Sequence, residues 1–92
     1  MKMFDNLDAN PYTAKVECNT PIKVKLADLE MKPWLRKYFD GTPNVEQITT
    51  LTIGKIYNVV AYEVMGDVAD VTVINDNGER ENFMECFFDE VN

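Results

Sequence analysis

Hydrophobic and polar positions alternate strictly in two short runs near the start of the chain. In residues 13–18 and again in residues 22–27, every second side chain is apolar and most of the others are charged. This period-two alternation predicts two half-buried strands. The Asn-Thr-Pro sequence at 19–21 lies between them and predicts a turn or a kink, because proline cannot donate a hydrogen bond to a central strand ladder.

Further extended runs fill the second half of the chain. They are residues 55–64, 68–75, 79–86 and, after a short turn, a last strand within 87–91. Gly54 precedes the first of these runs and is free to take a positive φ. Asp76-Asn77-Gly78 stands between two of them, and Asn-Gly in that position is the strongest short hairpin signal. The pattern predicts a three-stranded antiparallel meander with these glycines at its corners.

A long excursion over residues 19–50 precedes the meander and contains one helical signal. Pro33 is tolerated in the first turn of a helix, and Gly41 is a usual stop. We therefore expect a short helix near 33–39. Its aromatic and leucine side chains fall on or near one face, and a helix so short must dock through that face to persist.

The elements together favour the mainly β class. Five or six short antiparallel strands with tight turns are typical of a small closed β-barrel. A chain of 92 residues fits one domain, so we expect a single domain over 13–92. Residues 1–12 lack periodicity and end at a turn signal, which predicts a loosely attached N-terminal arm.

Three motifs carry a resemblance to a known family. They are Leu51-Thr-x-Gly54-Lys55-x-Tyr57-x-Val59, Asp76-Asn77-Gly78-Glu79 and Phe88-x-x-Val91. Their order resembles the small Src-homology-3-like β-barrel proteins of bacteria and bacteriophages, which are mostly uncharacterised. The resemblance covers 13–18 and 51–91, and it implies a barrel whose first loop is enlarged here and carries the short helix. In related peptide-binding barrels, aromatic residues around that loop form the ligand groove.

Acidic residues are concentrated in the second half of the chain. The net charge is −7, and residues 51–92 carry nine carboxylates against only Lys55 and Arg80. Such a surface disfavours double-stranded nucleic acid, because affinity for it comes largely from phosphate neutralisation. It suits docking to a basic surface on another protein, and it equally suits an ordinary solvated surface.

The amino-acid composition excludes most kinds of catalytic site. The chain has no histidine and no serine, which excludes Ser-His-Asp and Cys-His catalysis and histidine-ligated metal sites. Cys18 and Cys86 are expected to be reduced and semi-buried. Of the two, Cys18 is the better candidate nucleophile, since lysines lie near it in sequence and carboxylates surround Cys86. We expect no enzyme, no cofactor and no metal.

The segment Lys-Pro-Trp-Leu-Arg-Lys-Tyr-Phe at 32–39 is the strongest candidate site. Tryptophan, tyrosine and arginine are the residue types enriched in interface hot spots. The alternatives are that the rings are barrel core, or that they stack on single-stranded nucleic acid. We add three acidic residues of the meander to four residues of this segment. The predicted partner-binding residues are then Trp34, Arg36, Lys37, Tyr38, Asp70, Glu79 and Glu81.

These residues lead us to expect a non-enzymatic protein-binding module. It would be a phage or mobile-element protein that binds and modulates a host protein, in the sharper version as an acidic mimic. The alternatives are a nucleic-acid-associated barrel using Lys23, Lys25, Arg36 and Lys37, or a structural subunit of a homo-oligomer. No apolar run reaches the ~20 residues that cross a bilayer, and no signal peptide is evident, so we expect the cytoplasm of a bacterial host.

Overall fold

A computed structural model describes residues 12–65 and 68–91 of the chain. The predicted arm over 1–12 lies outside the described residues, apart from Tyr12. The strands are β1 (Tyr12–Leu26), β2 (Ile56–Met65), β3 (Val68–Ile74), β4 (Arg80–Met84) and β5 (Phe88–Glu90). Two short 3₁₀ helices, Pro33–Tyr38 and Glu85–Phe87, complete the described elements.

The strands form one antiparallel sheet in the order β4-β3-β2-β1-β5. The sheet is curled into a half-barrel. The predicted mainly β class and its antiparallel strands are confirmed. Within 12–65 and 68–91, no strand pairing joins the two ends of the sheet, so β4 and β5 are its edges.

One strand takes the place of two predicted ones. Residues 13–18 and 22–27 were expected as separate strands, but β1 runs continuously through 19–21 and pairs with β2 on both sides of that point. The register shifts between Glu17 and Ile22. This irregularity lets the strand pass a proline without losing its partner, because bulged residues leave the ladder locally. The excursion predicted over 19–50 therefore begins only after Leu26.

The core lies on the concave side of the sheet. Val24, Val59, Val71 and Val73 are fully buried there, and Val59 is paired directly with Val73. The excursion between β1 and β2 contributes Leu35, which is also fully buried. Burying one leucine stabilises a fold by roughly 1.5–3 kcal/mol, so Leu35 anchors the first 3₁₀ helix on the sheet.

The turn between β3 and β4 forms at the Asn-Gly sequence, as predicted. The side-chain Oδ1 of Asn75 accepts hydrogen bonds from the N–H groups of Asn77 and Glu79, and the Gly78 N–H donates to the Asn75 carbonyl. Gly78 has a φ of 77°. That left-handed conformation is open to glycine and tolerated by asparagine, but it is strained for a β-branched residue.

Replacement of Gly78 tests this turn. We expect Gly78→Val to lower the free energy of unfolding by about 1–3 kcal/mol through backbone strain, although no neighbouring atom would touch the new Cβ. Urea unfolding followed by tryptophan fluorescence measures the change. Gly78→Asn is the matched control, because it adds a side chain but tolerates positive φ. Equal losses for valine and asparagine would contradict the conformational explanation.

Candidate functional site

Four aromatic rings meet where the two 3₁₀ helices touch. Phe87 is buried at their centre. The Trp34 ring approaches it edge-on with centroids 5.5 Å apart, the Tyr38 ring lies 5.2 Å away and the Phe83 ring 6.2 Å away. Aromatic pairs at such distances and tilts attract each other beyond their area burial. The cluster therefore fixes the first 3₁₀ helix against the second.

Three hydrogen bonds to other parts of the chain hold the first 3₁₀ helix, and the residues leading into it, at this place. The Ala27 N–H donates to the Phe87 carbonyl over 2.9 Å, and the Lys32 Nζ donates to the Cys86 carbonyl over 2.7 Å. At the other end of the helix, the Ile48 N–H donates to the Tyr38 carbonyl over 2.8 Å. The helix is thus tied at both ends, which compensates for its short length.

The 3₁₀ geometry decides which side chains of this helix are exposed. With three residues per turn, side chains at i and i+3 share a side. Leu35 and Tyr38 therefore face the sheet, whereas Trp34 and Lys37 lie on the next side. Trp34 is 41% exposed although one edge of its ring contacts Phe87. Its outer surface is available to a partner.

A groove of about 360 Å³ lies beside the aromatic cluster. One wall is the loop segment 46–50 and the other is β4, and Tyr38 and Phe87 complete the lining. Two carboxylates, Glu46 and Glu81, line the groove, and no cation is among its described lining residues. The full lining is Tyr38, Glu46, Gln47, Ile48, Thr49, Thr50, Glu81, Asn82, Phe83 and Phe87.

Glu81 connects the two walls of the groove. Its Oε1 accepts a hydrogen bond from Thr50 Oγ1 over 2.6 Å and another from Asn75 Nδ2 over 3.0 Å. The Thr50 carbonyl in turn accepts from the Asp76 N–H over 2.9 Å. These bonds fix segment 46–50 against the β3–β4 turn, so the groove is formed before any ligand binds.

Asp76 joins this turn to the corner that precedes β2. Its Oδ1 accepts hydrogen bonds from Lys55 Nζ over 2.7 Å and from the Tyr57 hydroxyl over 2.8 Å, and its Oδ2 accepts from Thr52 Oγ1 over 2.8 Å. The Lys55 ammonium first, then the two hydroxyls, lower the pKa of Asp76, and the same ion pair raises the pKa of Lys55. The charged forms of both groups are favoured in the folded chain.

The structure brings some of the predicted site residues together and separates others. Trp34, Arg36, Lys37 and Tyr38 share the first 3₁₀ helix, with the Lys37 ammonium 5.3 Å from the Tyr38 ring centroid. Tyr38 also lines the groove, and so does Glu81. The first 3₁₀ helix and the groove are therefore adjoining parts of one surface.

The other two predicted acidic residues lie outside the groove lining. Asp70 stands within β3, opposite Glu63 of β2 and Met84 of β4. Glu79 lies in the β3–β4 turn, where its carbonyl accepts the Asn75 N–H. Sequence reasoning also missed Glu46, Thr50, Phe83 and Phe87. The consecutive phenylalanines at 87 and 88, next to a turn, were the one signal that could have indicated the aromatic centre.

Cys18 does not have the environment of a nucleophile. Burial first, and the neighbouring Glu17 carboxylate second, raise the pKa of Cys18, whereas a reactive thiol needs a lowered pKa. The nearby Lys15 and Lys23 do not offset this rise in the pKa of Cys18. Among the side chains that the structure describes, no group of three or more potential ligands is placed to hold a metal ion. No helix in the described part is long and apolar enough to span a membrane.

Comparison with known proteins adds no relative. No protein-family model matches the chain, and no curated protein and no solved structure matches it significantly. The geometry of this surface is therefore what bears on function.

The Asp76 cluster predicts a specific pH dependence of stability. Because the pKa of Asp76 is lowered from 3.8 in the folded chain, its contribution is complete above that pH and is lost as the pH falls below it. Asp76→Asn should lower the urea midpoint at pH 7 relative to the unmodified chain. The difference between the two proteins should shrink at pH 3.

The control for this comparison is Asp40→Asn. Asp40 is exposed, and its side chain makes no hydrogen bond within the described residues. We expect its urea midpoint to follow that of the unmodified chain at both pH values. A pH-independent effect of Asp76→Asn would contradict the charge-based explanation.

Proposed function

We propose that the chain is a non-enzymatic protein-binding module. The observation that carries this proposal is Trp34, whose ring is held edge-on against the buried Phe87 while 41% of the residue stays exposed. A ring fixed in this way offers a large contact area at little entropic cost to a partner, which is the property of interface hot spots. Arg36 and Lys37 are exposed beside it and supply a polar rim.

The distribution of charge supports a partner with a basic surface. Nine carboxylates against two cations follow residue 50. One of these nine, Glu81, lines the groove beside the 3₁₀ helix together with Glu46 from the preceding excursion. Complementary charge accelerates encounter and selects the orientation of docking. An acidic mimic that occupies a nucleic-acid-binding site of a host protein is the sharper form of this proposal.

The proposed family and source rest on the sequence motifs. The five-stranded curled sheet and the glycine corners at 54 and 78 are compatible with a small Src-homology-3-like barrel whose enlarged first loop carries the 3₁₀ helix. From this resemblance we also propose a source and a role for the chain. It would be a phage or mobile-element protein that acts in the bacterial cytoplasm and modulates a host protein.

Replacement of Trp34 tests the binding role. Because the ring is only partly buried, Trp34→Ala should cost about 1–2 kcal/mol of stability, less than the 3–5 kcal/mol typical of a fully buried tryptophan. It should weaken partner binding by ~2 kcal/mol or more. Host proteins captured from a bacterial lysate would be identified by mass spectrometry, purified and titrated by calorimetry. Urea unfolding provides the stability measurement.

Met31→Ala is the matched control. Met31 lies in the same excursion and is 79% exposed, so its removal should change neither stability nor binding. A Trp34→Ala chain that binds the purified partner as tightly as the unmodified chain would contradict the proposal. Micromolar, salt-sensitive retention of double-stranded DNA by the unmodified chain would favour the nucleic-acid alternative instead.

A further inference from the structure

Strand β4 exposes backbone groups along its outer edge. The Asn75 N–H donates to the Glu79 carbonyl, which makes these residues a hydrogen-bonded pair at the end of the β3–β4 ladder. Such pairs alternate along an antiparallel ladder. The register Val73↔Glu81 and Thr72↔Asn82 then directs the backbone groups of Glu81 towards β3 and those of Asn82 away from it.

The outward backbone groups of Asn82 have no partner in the part of the chain that the structure describes. Neither its N–H nor its carbonyl forms a hydrogen bond with another segment there. Its side-chain Oδ1 accepts from Thr72 Oγ1 over 2.6 Å, so the residue is held in place by its side chain. A free N–H and C=O on a fixed edge strand form a template for one more strand.

The groove lies along this edge. Glu81, Asn82 and Phe83 of β4 form one of its walls, and segment 46–50 forms the other. Its volume of about 360 Å³ falls within the range of small ligand-binding clefts. An added strand would therefore lie between two chain segments, and its side chains would alternate between the groove lining and solvent.

The groove lining combines apolar rings with negative charge. Phe83, Phe87 and Tyr38 offer aromatic surface, whereas Glu46 and Glu81 supply carboxylates. Both hydrogen bonds that Glu81 accepts fall on Oε1, and within the described residues its Oε2 has no partner. A ligand that carries an arginine or lysine next to an apolar residue would match both the charge and the apolar surface of this lining.

We propose that an extended segment of a partner protein adds to the outer edge of β4 as a further strand. Its backbone pairs with the N–H and C=O of Asn82. Side chains on one face then place an apolar group on Tyr38 and Phe87 and a cation at Glu81. This inference rests on the proposed protein-binding function and names the class of its partner: a basic, strand-forming segment.

Charge disfavours a second copy of this chain as the occupant. Each copy carries a net charge of −7, and pairing two β4 edges would bring the carboxylate-lined grooves together. Like charges facing each other across strands are destabilising. A basic peptide meets the same surface with attraction instead.

Three synthetic peptides test the inference. The probe is fluorescein-labelled Thr-Val-Thr-Arg-Thr-Val-Thr, which places valine and arginine on one face of a strand. The second peptide has glutamate in place of arginine, and the third is N-methylated at the threonines. Fluorescence anisotropy should show the probe binding at least roughly tenfold more tightly than either other peptide. In a proton–nitrogen correlation spectrum, the Asn82 amide should be among the signals that shift most.

Two variants of Asn82 separate its backbone from its side chain. Asn82→Pro removes the outward N–H, and proline is tolerated at an edge whose N–H faces solvent. Asn82→Ala is the matched control, since it removes only the bond from Thr72. We expect at least roughly tenfold weaker probe binding for proline than for alanine. Thermal melts check folding, and should the proline variant unfold, the N-methylated peptide decides the backbone question.

Glu81→Gln tests the charge of the groove. A glutamine oxygen can still accept the bonds from Thr50 and Asn75, so the groove walls stay joined. The preference for the arginine peptide over the glutamate peptide should fall by about tenfold. An unchanged preference would contradict the placement of the cation at Glu81.

Several results would overturn this inference without touching the proposed function. One is equal binding of the probe and the N-methylated peptide. Another is a host partner whose affinity depends on Trp34 but is the same for Asn82→Pro and Asn82→Ala. A third is a dimer, seen by light scattering, that Asn82→Pro dissociates, since the occupant would then be a second copy. The proposed function itself would be overturned by a partner insensitive to Trp34→Ala or by salt-sensitive retention of double-stranded DNA.

Discussion

The carboxylate of Asp76 connects two corners of the sheet that are distant in sequence. It accepts hydrogen bonds from Lys55, Tyr57 and Thr52, which surround the corner leading into β2. Its own N–H binds the Thr50 carbonyl. The backbone and side chain of this one residue thereby hold the β3–β4 turn against the end of the long excursion. This connection adds to the direct bond between Thr50 and Glu81 in fixing the two walls of the groove relative to each other.

The type of the short helix decides which of its side chains are exposed. An α-helix would have spread the aromatic residues and Leu35 over one buried face. The 3₁₀ geometry separates Leu35 from Trp34, so one side chain is fully buried and the other is 41% exposed. Phe87 then supports the exposed ring from below. The buried residue and the residue proposed to bind a partner are therefore neighbours in the same turn, which makes it possible to test stability and the proposed binding separately.

Three features meet at the groove, and each of them alone would be weak evidence for a binding site. A short edge strand is ordinary, an acidic surface is common in soluble proteins, and partly exposed rings occur on many surfaces. Here the free backbone groups of Asn82, the carboxylates of Glu46 and Glu81 and the ring of Tyr38 border the same space. Together they offer the backbone pairing, charge and apolar contact that the proposed extended segment requires. That combination is what an ordinary solvated surface lacks.

The sequence by itself determined where the chain is extended and where the β3–β4 turn forms, because alternation and positive φ are local properties. The period-two runs and Gly78 needed no knowledge of distant residues. It could not determine that β1 continues through 19–21, since the irregularity there is sustained by pairing with β2. Nor could it place Phe87 beneath Trp34, more than fifty positions earlier in the chain. The carboxylate network and the groove likewise join residues far apart in sequence, such as Thr50 and Glu81. Only the curling of the sheet brings those residues into contact, and contacts of that range leave no periodic trace in a single sequence.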